Sequence, residues 1–107
     1  MAKNLDFVLL LDCYGELLTE RQREIAELYY NEDFSLSEIA QMQKITRQAV
    51  SDSLRHSEQM LMQTEQKLGM AERVRHMRNC LEQIQDACRT ENISDIARLA
   101  ENGLRLL

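Results

Sequence analysis

The side chains best suited to chemistry lie between Thr46 and Arg55. After Thr46, the spacing predicts that Arg47, Gln48, Ser51, Asp52 and Arg55 lie on the outward face of one helix. Arginine can grip guanine and glutamine can grip adenine through paired hydrogen bonds, whereas a carboxylate repels phosphate. The pattern therefore predicts nucleic-acid contact by these residues together with Thr46. The alternative is a solvated helix face, with Arg47 pairing Ser51 or other neighbours.

The elements that must position these residues form a helix-turn-helix. A helix begins at Thr19 and ends near Asn31, and a short helix runs from Ser35 to near Gln43. Each begins with a capping box, in which a hydroxyl and a side chain three residues later satisfy free backbone N–H groups. The recognition helix begins after Thr46 and can continue to Lys67. The N-terminal residues of such a helix reach base edges.

Three apolar residues have specific places in this arrangement. The small Ala40 is expected where the two helices cross closely, Ile45 closes the turn, and Val50 anchors the recognition helix. Val50, Leu54, Leu61 and Leu68 are expected on one face of that helix. This spacing supports a helix-turn-helix between residues 18 and 56.

The stretch LTERQREIAELYYNEDFSLSEIAQMQKITRQAVSDSLRH resembles region four of the sigma factors, which reads a promoter element. The segments CYGELLTERQ, LYYNEDFSLSEIA, TRQAVSDSLR and EQKLGM together resemble the YlxM family of small bacterial proteins. The resemblance covers about residues 5 to 75. It implies a DNA-binding-type fold and a role in or near the signal recognition particle pathway, whose genes lie beside those of the family.

The chain departs from the sigma-like pattern at the turn. Lys44 stands where glycine is usual, so it must adopt a positive φ or the turn must differ. Gln43 replaces a usual apolar residue, and Met42 is expected to take over its packing.

The expected fold class is all-α: a sigma region-four-like helix-turn-helix of the winged-helix-like, three-helical DNA-binding superfold, with a C-terminal helical hairpin. The domain boundaries are 1–68 and 69–107. A first helix from about Asn4 to Tyr14 presents Leu5 and other leucines, and Gly15 is expected as its left-handed C-cap. Gly69 breaks or bends the chain after the fourth helix, and Asn92 can cap the sixth.

The fifth helix, from Met70 to about Arg89, carries apolar residues spaced as in a coiled coil. They are Met70, Val74, Met77, Leu81, Ile84 and Cys88. The sixth helix has its own stripe of Ile93, Ile96, Ala97, Ala100, Leu104 and Leu107. This seam either packs within the chain, against the first and last helices, or joins two copies. We favour a homodimer because long apolar stripes must be covered, although a helical partner protein can replace the second copy.

Composition limits the function further. The 107 residues contain 13 basic and 18 acidic side chains, for a net charge of −5. Seven basic and 12 acidic residues lie within 1–68. Any nucleic-acid binding should therefore be weak and sensitive to salt. The longest apolar run, Phe7 to Leu11, is too short to span a membrane.

Three cysteines without a CxxC motif fit the reducing cytoplasm. The best metal pair, His76 and Cys80, lacks further ligands, and buried apolar roles are expected for Cys88 and Cys13.

Two roles are open for four of the methionines, which are core residues or an adaptable binding surface: Met60, Met62, Met70 and Met77. No catalytic motif is present, so we expect no enzyme, metal or cofactor. The competing function is a protein-interaction adaptor that binds no nucleic acid.

Overall fold

A computed structural model describes residues 6–107, and all regular structure within them is helical. The helices are α1 (Asp6–Tyr14), α2 (Glu20–Tyr30), α3 (Leu36–Gln43), α4 (Arg47–Leu68), α5 (Met70–Arg89) and α6 (Ile93–Arg105). This confirms the all-α class. The predicted start of the first helix at Asn4, with Leu5, lies outside the described residues.

The helices form two compact units, the first ending at Leu68 and the second starting at Gly69. Gly69 has a φ of +63°, so the regular helix cannot continue through it, and α4 and α5 are separate helices. In the first unit, α4 packs against α1, α2 and α3. In the second, α5 packs against α6.

Both predicted capping boxes are formed. The Thr19 hydroxyl accepts a hydrogen bond from the Gln22 N–H at 3.2 Å, and the Gln22 side chain accepts from the Thr19 N–H at 3.1 Å. Ser35 and Glu38 make the same reciprocal pair at 3.1 and 3.0 Å. Each such cap stabilises a helix start by about 1 kcal/mol. The starts of α2 and α3 are therefore set locally.

The core of the first unit is almost completely removed from water. Ile25, Ile39, Val50, Leu54 and Leu61 are each 2% exposed or less. Burying one such side chain contributes about 1.5–3 kcal/mol. This apolar contact holds α4, and hence the predicted nucleic-acid-binding residues, against the rest of the unit.

The inward face of α4 differs from the prediction at two positions. Leu68 is exposed, because it lies at the very end of the helix, beyond the last buried residue Leu61. Ser57 is buried between Leu54 and Leu61, and its hydroxyl oxygen has no hydrogen-bond partner among the described residues. A polar side chain thus occupies a core position that an apolar pattern alone does not reveal.

Gly15 is not a left-handed cap, and that prediction was wrong. It begins a short 3₁₀ segment, Gly15–Leu17, and is absent from the positive-φ glycines of the described chain. A Cβ atom at this position would lie 3.3 Å from Leu11 Cδ1. Close packing therefore favours glycine here.

Two tyrosines connect α1 and α2 to α4. The Tyr14 hydroxyl donates to Glu65 Oε1 at 2.6 Å, and the Tyr30 hydroxyl donates to Glu58. Burial, together with the Glu58 carboxylate, raises the pKa of Tyr30 well above its ordinary range. Tyr29 is buried beside Tyr30, with their rings edge to face. These hydrogen bonds therefore hold α4 against α1 and α2 in addition to its apolar packing.

In the second unit, the packing of α5 on α6 uses small residues. Ala87, Leu99 and Gly103 are buried. A Cβ at Gly103 would lie 3.6 Å from Met77 Sδ and 3.9 Å from Cys80 Cβ, so the two helices approach closely there. The Asn92 side chain accepts from the Asp95 N–H at 3.2 Å, which confirms it as the cap of α6.

The two predicted apolar stripes are therefore only partly used within the hairpin. Three residues of α5 remain exposed: Val74, Leu81 and Cys88. The exposed residues of the second stripe are Ile93, Ala97, Ala100 and Leu104 on α6, and Leu107 after it. The reason is that the small residues beside the seam allow a tight crossing, which turns the bulky side chains outward.

Cys88 departs from its predicted buried role, and of the two alternatives for the methionines, core or adaptable surface, three follow the surface one. Cys88 is exposed and Cys13 is half-buried. Burial raises the pKa of the Cys13 thiol, with smaller contributions from Glu65 and Asp12. Met60, Met62 and Met70 are 45–47% exposed, because they lie off the buried faces of their helices.

Residues 6–107 contain neither a membrane-spanning helix nor a metal-ligand cluster. None of the helices there has the length and apolar character that crossing a bilayer requires. No cluster of three potential metal ligands occurs in this part of the chain. The Nε2 atom of His76, the histidine of the pair considered for metal binding, lies 3.6 Å from Glu72 Oε1.

Candidate nucleic-acid interface

The turn before α4 depends on Lys44. Its backbone is left-handed, with φ 56° and ψ 44°, and its N–H donates to the carbonyl oxygens of Ala40 and Gln41. The Ile45 N–H also donates to the Ala40 carbonyl, at 3.1 Å. These bonds satisfy the end of α3 and redirect the chain into α4. Of the two alternatives at Lys44, a positive φ or a different turn, the structure shows the positive φ.

The expectation that Met42 packs inward is wrong. Met42 is 49% exposed, whereas Gln43 is half-buried. Gln43 lies one turn after the buried Ile39 and so shares its face, while Met42 is rotated away from it. The glutamine occupies the inward position in spite of its polarity.

The start of α4 is fixed from two sides. The Thr46 hydroxyl accepts from the Ala49 N–H at 3.0 Å, and Val50 is completely buried. The hydroxyl oxygen of Thr46 thus serves as a helix cap. Together these contacts hold Arg47 on the exposed side of the first turn.

Arg47 is the least engaged cation of the predicted set. Within residues 6–107 its guanidinium makes no ion pair or side-chain hydrogen bond. The first turn of α4 contains no acidic residue. Since the N-terminus of a helix carries a partial positive charge, Arg47 and the helix dipole act in the same sense on an approaching phosphate.

Three other predicted residues form one cluster around Asp52. Its Oδ1 accepts from Gln48 Nε2 at 3.0 Å and lies 3.6 Å from Arg55 Nη2. All three side chains face solvent, and that of Arg55 is 63% exposed. Ser51 is half-buried beside them. The structure therefore brings Gln48, Asp52 and Arg55 together and leaves Arg47 apart from them.

Cations next to the turn extend the surface around Arg47. Lys44 is exposed at the turn itself. Arg21 of α2 donates from Nη2 to the Gln43 carbonyl at 3.4 Å, which brings its guanidinium to the end of α3. By contrast, Arg23 pairs with Glu27 at 3.0 Å. We call Arg21, Lys44 and Arg47 the turn cations.

Composition alone does not distinguish Arg21 from Arg23, two arginines in the first turns of α2. The Arg23–Glu27 pair has the i, i+4 spacing of a helix ion pair, which is a usable sequence signal. The contact between Arg21 and Gln43 joins residues 22 positions apart. It depends on how α2 packs beside α3, and local spacing does not contain that information.

Comparison with known proteins identifies the same motif. A family profile described as "Putative helix-turn-helix protein, YlxM / p13 like" matches residues 1–99. The UPF0122 protein of Symbiobacterium thermophilum is 47% identical over 98 residues, which cover 91% of this chain and 90% of that protein. The UPF0122 protein of Desulforamulus reducens is 58% identical over 62 residues. That match covers 58% of this chain and only 53% of the relative's length. The UPF0122 protein of Geobacillus kaustophilus is 41% identical over 86 residues, or 80% of this chain and 78% of its own length.

Proposed function

The chain belongs to the UPF0122 family of YlxM-like helix-turn-helix proteins, and from this premise we propose that it binds nucleic acid through the start of α4. The observation that carries the proposal is the exposed, unpaired guanidinium of Arg47 on a helix turn that lacks acidic residues. Thr46 and Val50 hold that turn rigidly. A preformed cationic surface loses little conformational entropy when it meets a phosphate backbone.

The interface divides into two functional parts. The turn cations contact phosphates, which supplies affinity without sequence information. Gln48 and Arg55 read base edges once they leave the Asp52 carboxylate. Asp52 therefore competes with the nucleic acid for both side chains, since one oxygen of its carboxylate lies within 3.6 Å of each.

The acidic balance of the protein limits the affinity. With a net charge of −5, the surface outside the turn cations repels a polyanion. We expect dissociation constants no tighter than the ordinary non-specific range, about 10⁻⁴–10⁻⁶ M at physiological salt, on duplexes of arbitrary sequence. Tighter binding requires a specific site.

The resemblance to YlxM proteins supports a proposal about the cellular pathway in which the protein acts. We propose that the nucleic acid or protein bound in the cell belongs to the signal recognition particle pathway, and that the protein regulates that pathway without catalysing a reaction. We also propose that it works as a homodimer, which presents two recognition helices. Its cytoplasmic location stays a prediction from the three cysteines.

Fluorescence anisotropy of labelled DNA duplex and RNA hairpin, titrated at low and then moderate salt, tests the central proposal. Wild-type protein should bind at low salt, and Arg47→Glu/Arg55→Glu should not. The matched control is Arg98→Glu/Arg105→Glu, which removes the same charge from two exposed, ion-paired arginines of α6. Circular dichroism should show full helicity for both variants. Equal loss of binding in the control would mean that net charge, rather than α4, is responsible.

The same variants separate nucleic-acid binding from an adaptor role. The readout is the effect of the protein on signal recognition particle pathway activity in cells that otherwise lack it. We expect the effect to disappear with Arg47→Glu/Arg55→Glu. An unchanged effect with the folded variant would favour an adaptor that binds no nucleic acid.

A further inference from the structure

Asp52 lies between the two side chains proposed to read bases. At a rise of about 1.5 Å per residue, it follows Gln48 by about 6 Å along α4 and precedes Arg55 by about 4.5 Å. Its Oδ1 accepts from Gln48 Nε2 at 3.0 Å and lies 3.6 Å from Arg55 Nη2. The Asp52 side chain is 48% exposed, so its carboxylate belongs to the surface that α4 presents outward.

Base reading by Gln48 and Arg55 removes both partners from this carboxylate. Within residues 6–107 no other side chain forms an ion pair or a hydrogen bond with Asp52. A carboxylate has only acceptor oxygens, and its negative charge is unfavourable in an interface with phosphates unless a donor meets it. The bound state is therefore favoured where the nucleic acid itself offers a hydrogen-bond donor opposite Asp52.

The base edges in the major groove of duplex DNA offer few such donors. Cytosine presents its N4 amino group and adenine its N6 amino group, whereas guanine and thymine present acceptors. The adenine amino group lies beside the N7 acceptor of the same base, and that acceptor repels a carboxylate. Cytosine is therefore the base whose edge best matches Asp52.

We propose that Asp52 is a specificity-determining residue that accepts a hydrogen bond from the N4 amino group of a cytosine in duplex DNA. This inference rests on the proposed function and names the kind of site that α4 reads. Gln48 and Arg55 are separated by about 10.5 Å along the helix, or about three base pairs at ~3.4 Å each. With α4 lying along the groove, the cytosine is located between an adenine contacted by Gln48 and a guanine contacted by Arg55.

The carboxylate then has opposite effects on two kinds of DNA. On a duplex of arbitrary sequence it repels phosphate and holds Gln48 and Arg55 away from the bases, so it lowers the affinity. On a duplex with cytosine at the matching position, the hydrogen bond from the amino group offsets that loss. Asp52 thus lowers non-specific affinity and increases the difference in affinity between sequences.

Selection of bound duplexes from a random-sequence DNA pool tests the proposal. The wild type should enrich a site with one invariant cytosine, and any other base there should weaken binding at least about fivefold, as for a single mismatched pair. Asp52→Asn should enrich adenine at that position, because an amide accepts from N6 and donates to N7. The matched control is Asp86→Asn in α5, which changes an exposed aspartate that also pairs with an arginine three residues later. It should select the wild-type site, and circular dichroism should show both variants to be folded.

The outcomes separate this inference from the proposed function. Binding without any enriched sequence, or an enriched site that Asp52→Asn leaves unchanged, would overturn the role of Asp52 and leave nucleic-acid binding intact. Binding of an RNA hairpin without binding of duplex DNA would do the same, because side chains cannot read the narrow major groove of A-form RNA. No binding of either nucleic acid at low salt would overturn both.

Discussion

Asp52 lies one helical turn after Gln48, and its Oδ1 accepts a hydrogen bond from the Gln48 side chain at 3.0 Å. The same oxygen lies 3.6 Å from a guanidinium nitrogen of Arg55. One carboxylate therefore engages two of the side chains proposed to read bases. It also adds a negative charge to a surface that must approach phosphate.

Replacing this carboxylate should strengthen nucleic-acid binding. Asp52→Asn removes the negative charge and frees Arg55, so we expect affinity for a DNA duplex at low salt to rise about three- to tenfold, in line with roughly 1 kcal/mol for one nearby charge. Anisotropy titration measures the change. Glu101→Gln is the matched control, because it removes an exposed, arginine-paired charge from α6. Unchanged or weaker binding by Asp52→Asn would mean that the carboxylate takes no part in controlling this surface.

The turn should tolerate glycine better than the lysine it contains. A non-glycine residue in the left-handed region costs about 1–2 kcal/mol, partly offset by the entropy that glycine loses on folding. We expect Lys44→Gly to raise the free energy of unfolding by about 0.5–1 kcal/mol. Urea denaturation measures it. Gln41→Gly, within α3, should instead lower the free energy of unfolding by a similar amount. A destabilised Lys44→Gly protein would show that the lysine side chain contributes more than its backbone strain costs.

The helices of the first unit were predictable because their signals are local. Thr19 and Ser35 begin helices with capping boxes that the sequence displays directly, and Lys44 stands at the position where the turn demands a positive φ. Gly15 was misjudged because its role is a close approach to Leu11, and no local pattern reports such a contact.

The hairpin shows a different limit of sequence reasoning. Apolar spacing identified the seam of α5 but could not say what covers it. Small residues at Ala87 and Gly103 permit a tight crossing beside the seam, and this leaves Leu81 outside. Whether a helix packs by its bulky or its small face depends on the partner helix, so periodicity alone does not decide it.

The candidate nucleic-acid interface could likewise be predicted only in part from the sequence. Residue types predicted which side chains face outward from α4. The division into an unpaired Arg47 and a cluster around Asp52 depends on rotamers and on the approach of Arg21 from α2. Side-chain conformations and the packing of α2 beside the turn depend on tertiary structure, so they cannot be predicted from residue spacing.

The buried hydroxyl of Ser57 should reduce stability. A buried polar atom without a partner carries a desolvation penalty of about 1–3 kcal/mol. Ser57→Ala keeps nearly the same volume, so we expect it to raise the free energy of unfolding by about 1 kcal/mol in urea. Leu54→Ala, one turn earlier, should lower it by about 2–5 kcal/mol. A loss of stability in Ser57→Ala would reveal a hydrogen bond that the hydroxyl makes in solution.

The Cys13 thiol should react slowly. Burial and the carboxylates of Glu65 and Asp12 raise its pKa, so its thiolate fraction at pH 7–8 is below that of an unfolded chain. In Cys80→Ser/Cys88→Ser protein, a disulfide reagent should modify native Cys13 more slowly than urea-unfolded Cys13. The native rate should continue to rise at pH values where the unfolded rate has levelled off. A native rate that levels off at the same or a lower pH would contradict the raised pKa.

The most direct test of the proposed function is the salt dependence of nucleic-acid binding by wild type and Arg47→Glu on the same labelled duplex. For the wild type, log affinity should fall linearly with log salt, with a slope of about −0.9 for each phosphate neutralised. The magnitude of the slope should drop by about 1 in Arg47→Glu, which removes a single phosphate contact. Identical slopes for the two proteins, or no binding by the wild type even at low salt, would contradict the assignment of α4 as a nucleic-acid-binding element.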